Sequence, residues 1–403
     1  MASATTANLP EIQKILYPKG ISYLNLLKSP FYGMAKHTTN FTGSLKQTKV
    51  TLGDGTGGSS DFSQALANRG PSNQVTFSSY RKKDYVIGSL ENELIMATKG
   101  DEGAVIEAMK LEFDLKGSEM GERIWRRFWG SEGGRLGEVS SISTNTIVLT
   151  NKADMRHFRK GKVVMFASDN GTGSSPSGDR TGTLTVSGVN IEDKTVTFTE
   201  NVTTGIPAAT AGDSIFNPGD YGQAPDGVLA WTPIDTPSTT FLGVDRSVAP
   251  EILGGFRYDG AGGDMLETIN NAEAESYEYQ TAAKRSLFTS GRDFARLMNH
   301  LEGKTVMPRE VKGRDNFAEA SYSGVCVYTA NGEITVMADP GCPVGYAVVT
   351  DPADWEIASL GELPHFSEEK FQQESAADAR QFRLRCFWNV LCHKPYNTTI
   401  ITW

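Results

Sequence analysis

Met337-Ala338-Asp339-Pro340-Gly341-Cys342-Pro343-Val344-Gly345-Tyr346 runs through Val348-Val349-Thr350-Asp351-Pro352-Ala353-Asp354-Trp355 to Leu360-Gly361-Glu362-Leu363-Pro364. The apolar runs before Asp339 and before Asp351 read as strands. Each closes on an Asp-Pro turn, because proline fixes φ and removes a backbone donor. The stretch is therefore strand, turn, strand, turn, and a Leu-Gly-x-x-Pro exit. Far upstream, Ala97-Thr98-Lys99-Gly100-Asp101-Glu102-Gly103-Ala104 opens a long helical pattern.

In that pattern Ile106, Met109, Phe113, Met120, Ile124 and Phe128 recur mostly at steps of three, four or seven. Such steps draw one stripe along a helix. A helix over Glu102–Trp129 would be about 40 Å long, at ~1.5 Å per residue. Gly117 and Gly121 weaken it and mark a candidate bend. Its last turns carry Arg123, Arg126 and Arg127. Cations there suit the negative end of the helix dipole. They would also suit phosphate, so both readings stay open, and the three are candidate DNA-facing basic residues.

Outward from these elements the chain divides by composition. Residues 1–37 read as an arm whose short apolar groups, Ile12, Ile15, Leu16 and Leu24 to Leu27, are interrupted by Pro18 and Gly20. Such a segment buries little by itself and is expected to order on another surface. Residues 38–90 read as an extended hairpin. One strand ends at Gly53-Asp54-Gly55-Thr56-Gly57-Gly58, a helix-like piece covers Asp61–Ala67, and a return strand carries Val75, Phe77, Tyr80, Tyr85 and Val86. A hairpin this long is expected to have no core of its own, and exposed edges invite pairing with another chain. The segment that holds the long helix occupies 91–136.

Residues 137–222 change character. Short strands beginning at Val139, Val163, Gly182, Thr195 and Gly212 are separated by turn residues. That spacing reads as a small all-β barrel or sandwich inserted between helical stretches. Residues 223–350 are mixed, with helices near Met265–Tyr279 and after Ser290. Residues 351–403 read as closing strands.

Hydrophobic residues make 38% and charged residues 22% of the 403, the mix of a folded protein, and 42 glycines favour many turns over a helical bundle. The net charge of −9, from 39 basic and 48 acidic residues, argues against a general nucleic-acid binder. Cys326, Cys342, Cys386 and Cys392 show no C-x-x-C spacing and fit reduced thiols. The N-terminus lacks a basic run followed by an apolar one, so no secretory leader is expected. No stretch reaches the ~18 apolar residues of a membrane span. The loop at residues 53–58 lacks the Gly-Lys-Ser/Thr ending of a P-loop. Asp259–Asp264 lacks the closing glutamate of a calcium loop and reads as a helix-entry turn. The five histidines have no zinc spacing, and no nucleophile elbow is present. No catalytic, metal or cofactor site is expected.

Taken in order, Asn92-Glu93-Leu94, Ala97-Thr98, the two Asp-Pro turns and the exit Leu360–Pro364 resemble the major capsid proteins of tailed bacteriophages, the HK97-like family. The resemblance covers most of the chain. It implies an α+β HK97-like capsid fold: N-arm, extended loop, peripheral domain with spine helix, axial domain over 223–350 with adjoining peripheral segments, and C-terminal strands over 351–403 returning to the peripheral domain. The block at 137–222 would be an inserted β domain. The implied function is self-assembly into hexamers and pentamers of an icosahedral head holding double-stranded DNA, without sequence-specific binding. The implied partners are further copies, a separate scaffolding protein, a portal and decoration proteins, with no membrane. The implied location is the virion, after assembly in a bacterial cytoplasm. Expected inter-subunit contacts are Ile12, Ile15, Leu16, Lys46, Lys49, Gly57 and Phe62; some family members cross-link a loop lysine. The rivals are an encapsulin-like compartment and a β-rich adhesin or carbohydrate-binding protein.

Overall fold

The computed structural model describes residues 29–53, 58–70, 73–91, 102–131, 133–172, 177–238, 240–279, 285–300, 308–312, 321–366, 372–373 and 378–403. A one-turn helix, α1 (Pro30–Met34), begins at Ser29, whose hydroxyl accepts from the Tyr32 N–H. Proline at its first position is pre-set for helix entry. β1 (Lys36–Thr38) follows, then β2 (Leu45–Gly53), the short helix α2 (Phe62–Ala67) and β3 (Asn73–Tyr80). β2 and β3 pair antiparallel as a two-stranded ribbon. The Asp61 carboxylate starts α2 by accepting from the Ser63 N–H at 2.8 Å. β4 (Lys82–Glu91) then leaves the ribbon and pairs with residues 379–388. The long helix α3 spans Glu102–Trp129, 28 residues and so about 42 Å.

Three expectations change here. The hairpin read over 38–90 closes over 45–80, because the return strand breaks at Arg81 into β3 and β4. Nor is the ribbon coreless. Lys46, Thr48, Val50 and Leu52 alternate inward opposite Val75, Phe77 and Ser79, and Val50 and Phe77 are buried. The Phe77 ring lies 5.0 Å from Trp231 and 6.2 Å from Phe241. Finally, the end of the expected arm is integral to the subunit: Phe31 and Tyr32 are fully buried in the chain's own core.

β5 (Gly137–Ser143), β6 (Thr146–Leu149), β7 (Val163–Ala167), β8 (Leu184–Asn190), β9 (Thr195–Phe198) and β10 (Ser214–Phe216) form a closed antiparallel barrel in the order β10-β5-β6-β9-β8-β7. Closure leaves no free edge. Alternate side chains point inward, and Val139, Ile147, Val164, Phe166, Val196 and Phe198 belong to a core cluster of its own. A 3-10 turn, Lys152–His157, joins β6 to β7.

After the barrel, α4 (Val228–Trp231) seats Trp231, whose indole N–H donates to the Val390 carbonyl at 2.9 Å. β11 (Phe256–Asp259), α5 (Met265–Tyr277), β12 (Arg285–Thr289), α6 (Gly291–His300), β13 (Pro308–Lys312), β14 (Ser321–Thr329), β15 (Gly332–Ala338) and β16 (Tyr346–Thr350) follow. β17 (Trp355–Ser359), β18 (Ala379–Cys392) and β19 (Thr399–Thr402) end the chain. A seven-stranded sheet runs β11-β19-β16-β12-β15-β14-β13. Its central strands are apolar on both faces, and successive side chains go to opposite sides. Leu287, Val336, Val349 and Ile401 pack with α5 and α6, while Phe288, Met337, Val348 and Ile400 join the core beneath α3. A second sheet sets β1 parallel to β17, β17 against β18, and β18 against β4. β17 and β18 thus return to the part of the molecule that holds α3. The last strand does not: β19 enters the seven-stranded sheet between β11 and β16.

One buried ion pair pins that sheet. Arg285 of β12 bonds Glu273 of α5, with side-chain exposures of 2% and 0%, and donates to Thr399 Oγ1 at 3.1 Å. Burial pushes Glu273 up and Arg285 down, against their mutual attraction. Removing one partner strands the other charge. Glu273→Ala should therefore cost about 3–5 kcal/mol in urea unfolding. A loss below about 1 kcal/mol would show that the guanidinium finds another partner.

Candidate assembly surfaces

The end of the ribbon carries the most exposed large apolar side chain among the described residues. Phe62 is 80% exposed and Leu66 50%. At positions i and i+4 of α2 they share one face. Lys49 points outward from β2 and is exposed. Lys46 faces the other way and is committed within the subunit: its ammonium bonds the Glu356 carboxylate. Glu356 also accepts from the Thr38 hydroxyl and faces His393 Nε2 at 2.9 Å. Burial would raise the Glu356 carboxyl, but His393, Lys46 and Thr38 outweigh it and hold the group near about 2. Ile12, Ile15, Leu16 and Gly57 lie outside the described residues.

A second apolar patch was not singled out from the sequence. Tyr85 and Ile87 are 49% and 53% exposed on the outer face of β4, opposite Arg385 and Arg383 of β18. Asp84 and Val86 alternate with them and point inward. The strand has apolar residues on both faces, so its pattern alone does not say which face meets solvent.

Arg123, Arg126 and Arg127 part company. Arg123 Nη2 lies 2.8 Å from Asp84 and 2.9 Å from Asp220; Arg127 lies 2.8 and 2.7 Å from the same two carboxylates. The four charges form a closed, largely buried square that ties α3 to β4 and to the segment leaving the barrel. Burial disfavours the Asp220 charge, yet Arg127 and Arg123 more than compensate and lower its pKa from 3.8 to about 2. Arg123 and Arg127 are thus internal counter-ions, not a DNA-facing surface. Arg126 stands outside the square, with its guanidinium 3.5 Å from His157 Nδ1.

The cysteines are free, and burial pushes the Cys342, Cys386 and Cys392 thiols up, away from the reactive thiolate. Among the described residues no His/Cys/Asp/Glu group has metal-holding geometry, and no helix is long and apolar enough to cross a membrane. Asp264 caps α5 through the Leu266 N–H at 2.8 Å, so Asp259–Asp264 is the entry turn of that helix. A cavity of about 260 Å³ lies between barrel and sheet, lined by Lys152, Arg156, Ser290, Arg292, Asp339 and Pro340 among others.

No family model matches the sequence, and no curated protein does. Solved structures do. The chain is similar to one in the capsid asymmetric unit of Cyanophage A-1(L), with 12% identity over 92% of this chain and 90% of that one and a TM-score of 0.48. It is similar to the capsid of a native GTA particle, with 10% identity, 93% and 90% coverage and a TM-score of 0.45. It is also similar to the holo-SrpI encapsulin complex from Synechococcus elongatus PCC 7942, with 6% identity, 91% and 84% coverage and a TM-score of 0.43. These are capsid and encapsulin shells, the kinds of protein named by the sequence resemblance and its first rival.

The carboxylate square gives a pH signature. A carboxyl with a depressed folded pKa contributes stability above its unfolded value and loses it as pH falls through the folded one. For Asp220 that window runs from 3.8 down to about 2. Its share is about 2 kcal/mol. Melting temperatures followed from pH 7 to pH 2 should fall along an acid limb that is shallower in Asp220→Asn, which is also less stable at pH 7. Parallel limbs in the two proteins would remove Asp220 from the account.

Proposed function

We propose that the chain is a shell-forming structural subunit of the tailed-phage capsid type. It assembles as hexamers and pentamers into an icosahedral head around double-stranded DNA, and contributes contacts rather than catalysis. The observation that carries this reading is the ribbon tip. A two-stranded ribbon ending in a helix with Phe62 80% exposed has no use for that side chain inside its own subunit. A partly exposed apolar face on an extended element is a docking feature. The order of elements supports the same reading: anchored N-terminal segment, ribbon, long helix, barrel, mixed sheet, and β17–β18 returning beside the helix.

On this reading α2 seats on a neighbouring copy, and Lys49 lies along the same contact. Ile12, Ile15 and Leu16, which lie outside the described residues, would add contacts to a neighbour. Scaffolding, portal and decoration proteins would be separate partners. The acidic balance, −9 overall, keeps the shell from adhering tightly to DNA. The barrel is an added module facing outward, away from the contacts between subunits.

Two outcomes test this. Phe62→Ser with Leu66→Ser should leave the subunit's melting temperature within about 2 °C, since neither side chain supports the core. It should also sharply reduce closed particles seen by electron microscopy and sedimentation. Particles forming as in the unaltered protein would overturn the role of the tip. Nuclease-protected DNA inside the particles supports a virus head; protein cargo instead would support the encapsulin reading. The barrel, expressed alone as residues 136–217, should unfold cooperatively with β-type circular dichroism. A disordered spectrum would deny it the standing of a module.

A further inference from the structure

Where the last turn of α3 meets the Lys152–His157 turn of the barrel, positive charge collects without a directly paired carboxylate among the described residues. Arg126, Arg156 and Lys162 make no ion pair among the described residues. All three converge on His157. Arg126 Nη1 is 3.5 Å from its Nδ1, Arg156 Nε is 3.4 Å from its Nε2, and Lys162 Nζ donates to its carbonyl at 2.6 Å. Arg156 also lies over the Trp125 ring at 5.4 Å and donates to the Pro340 carbonyl.

The nearby acids are committed elsewhere. Glu122 pairs with Arg159, Glu119 with Lys116, Glu192 with Lys152, and Asp84 and Asp220 with Arg123 and Arg127. Asp154 and Asp339 offset the Arg156 charge in part, though burial raises both to about 6 and neither makes an ion pair with it among the described residues. The helix C-terminus supplies only about half a negative charge. It offsets one cation in part, not three.

The imidazole makes the deficit geometric. A neutral ring has one acceptor nitrogen and one N–H. Both of its nitrogens face guanidinium groups, so one of the two contacts sets donor against donor. Protonating the ring would add a fourth charge. Burial, then repulsion from neighbouring cations, lowers Arg126 to about 10, Lys162 to about 7, and His157 further below its ordinary value. An oxyanion seated here would offer acceptors to the two guanidinium groups that now face the imidazole and a counter-charge to all three cations.

We propose that this junction is a binding seat for a phosphate-class oxyanion, held by Arg126, Arg156 and Lys162 with the His157 ring N–H as a further donor. Guanidinium forks match phosphate geometry in bidentate fashion, which recommends phosphate over a monovalent anion. Arg156 is exposed and keeps the seat open to solvent, and it also lines the adjoining cavity with Lys152 and Arg292. The oxyanion could come from free phosphate or from a phosphodiester backbone. The seat is built from side chains of one subunit and does not rest on the assembly reading.

The test uses the full-length protein. Inorganic phosphate should raise its melting temperature more than sodium chloride at equal ionic strength. Arg156→Gln and Lys162→Gln should each weaken phosphate binding about tenfold or more, as loss of a charge-assisted bond implies. Arg159→Gln, whose arginine is already paired, should not. In chloride alone Lys162→Gln should melt at or above the unaltered protein, because a repulsive charge is gone. A second arm measures a short DNA duplex of arbitrary sequence by fluorescence anisotropy across salt. If Arg156→Gln and Lys162→Gln each reduce the salt slope by about one, the source is a phosphodiester backbone. Phosphate binding without that change assigns the seat to the free anion. If phosphate acts no differently from chloride and the duplex slope is unchanged, the proposal is overturned, whatever the protein does in assembly.

Discussion

The structure depends on one aromatic contact made early in the described chain. The Phe31 ring stacks on Phe288 at 4.3 Å and meets Phe128, Trp129 and Trp355 edge-on at 5.1 to 5.5 Å. Those partners sit on the end of α3, on the central strand β12 of one sheet and on β17 of the other. A single side chain thus joins a long helix and both sheets. Its backbone is held by Asp339, which accepts from the Phe31 N–H at 3.2 Å and from the Ser29 hydroxyl at 2.6 Å. The Asp-Pro turn at 339–340 is therefore more than a strand stop. Its carboxylate fixes the point at which the preceding chain enters the core.

The same helix end is fixed electrostatically on its other side. Arg123 and Arg127 are four apart and share a face, so both reach Asp84 and Asp220. Two cations and two anions close on each other, and the square is neutral. Arg126 sits between them in sequence and so projects elsewhere, toward the barrel. The difference between an internal counter-ion and an unanswered cation is one step around the helix.

Much of this was legible and some was not, for physical reasons. The helix over 102–129 showed because its apolar stripe has a helical period that packing requires. The barrel strands and β15–β16 showed because turn residues bracket them. The ribbon's inner face was misjudged: Val50 and Phe77 alternate as an exposed hairpin would, and only Trp231 and Phe241, more than 150 residues downstream, reveal what they cover. Likewise nothing local in Arg123-Ile124-Trp125-Arg126-Arg127 indicates carboxylates 39 and 97 residues away. Lys46 had the exposed-loop look of a contact residue, yet its partner is Glu356, distant in sequence and adjacent in space. Local periodicity is written in the chain; charge pairing across sheets is not.

The ribbon tip suits assembly because it is weak alone. Burying Phe62 and Leu66 on a neighbour contributes about 3–6 kcal/mol. Association costs at least as much, about 4–15 kcal/mol, in lost translational and rotational freedom. One such contact alone would therefore not hold two subunits together, and a misplaced copy would leave. On the proposed reading, a subunit that gave its ribbon to one neighbour and received another's on its own surface would gain the second contact at high effective concentration. In that reading closed symmetry would extend the gain around a ring and then over a shell, with no free edge left to propagate. The exposed Phe62 and Leu66 pair is small and flanked by polar residues in the free subunit, and on the proposed reading it would become decisive only when many copies engage together.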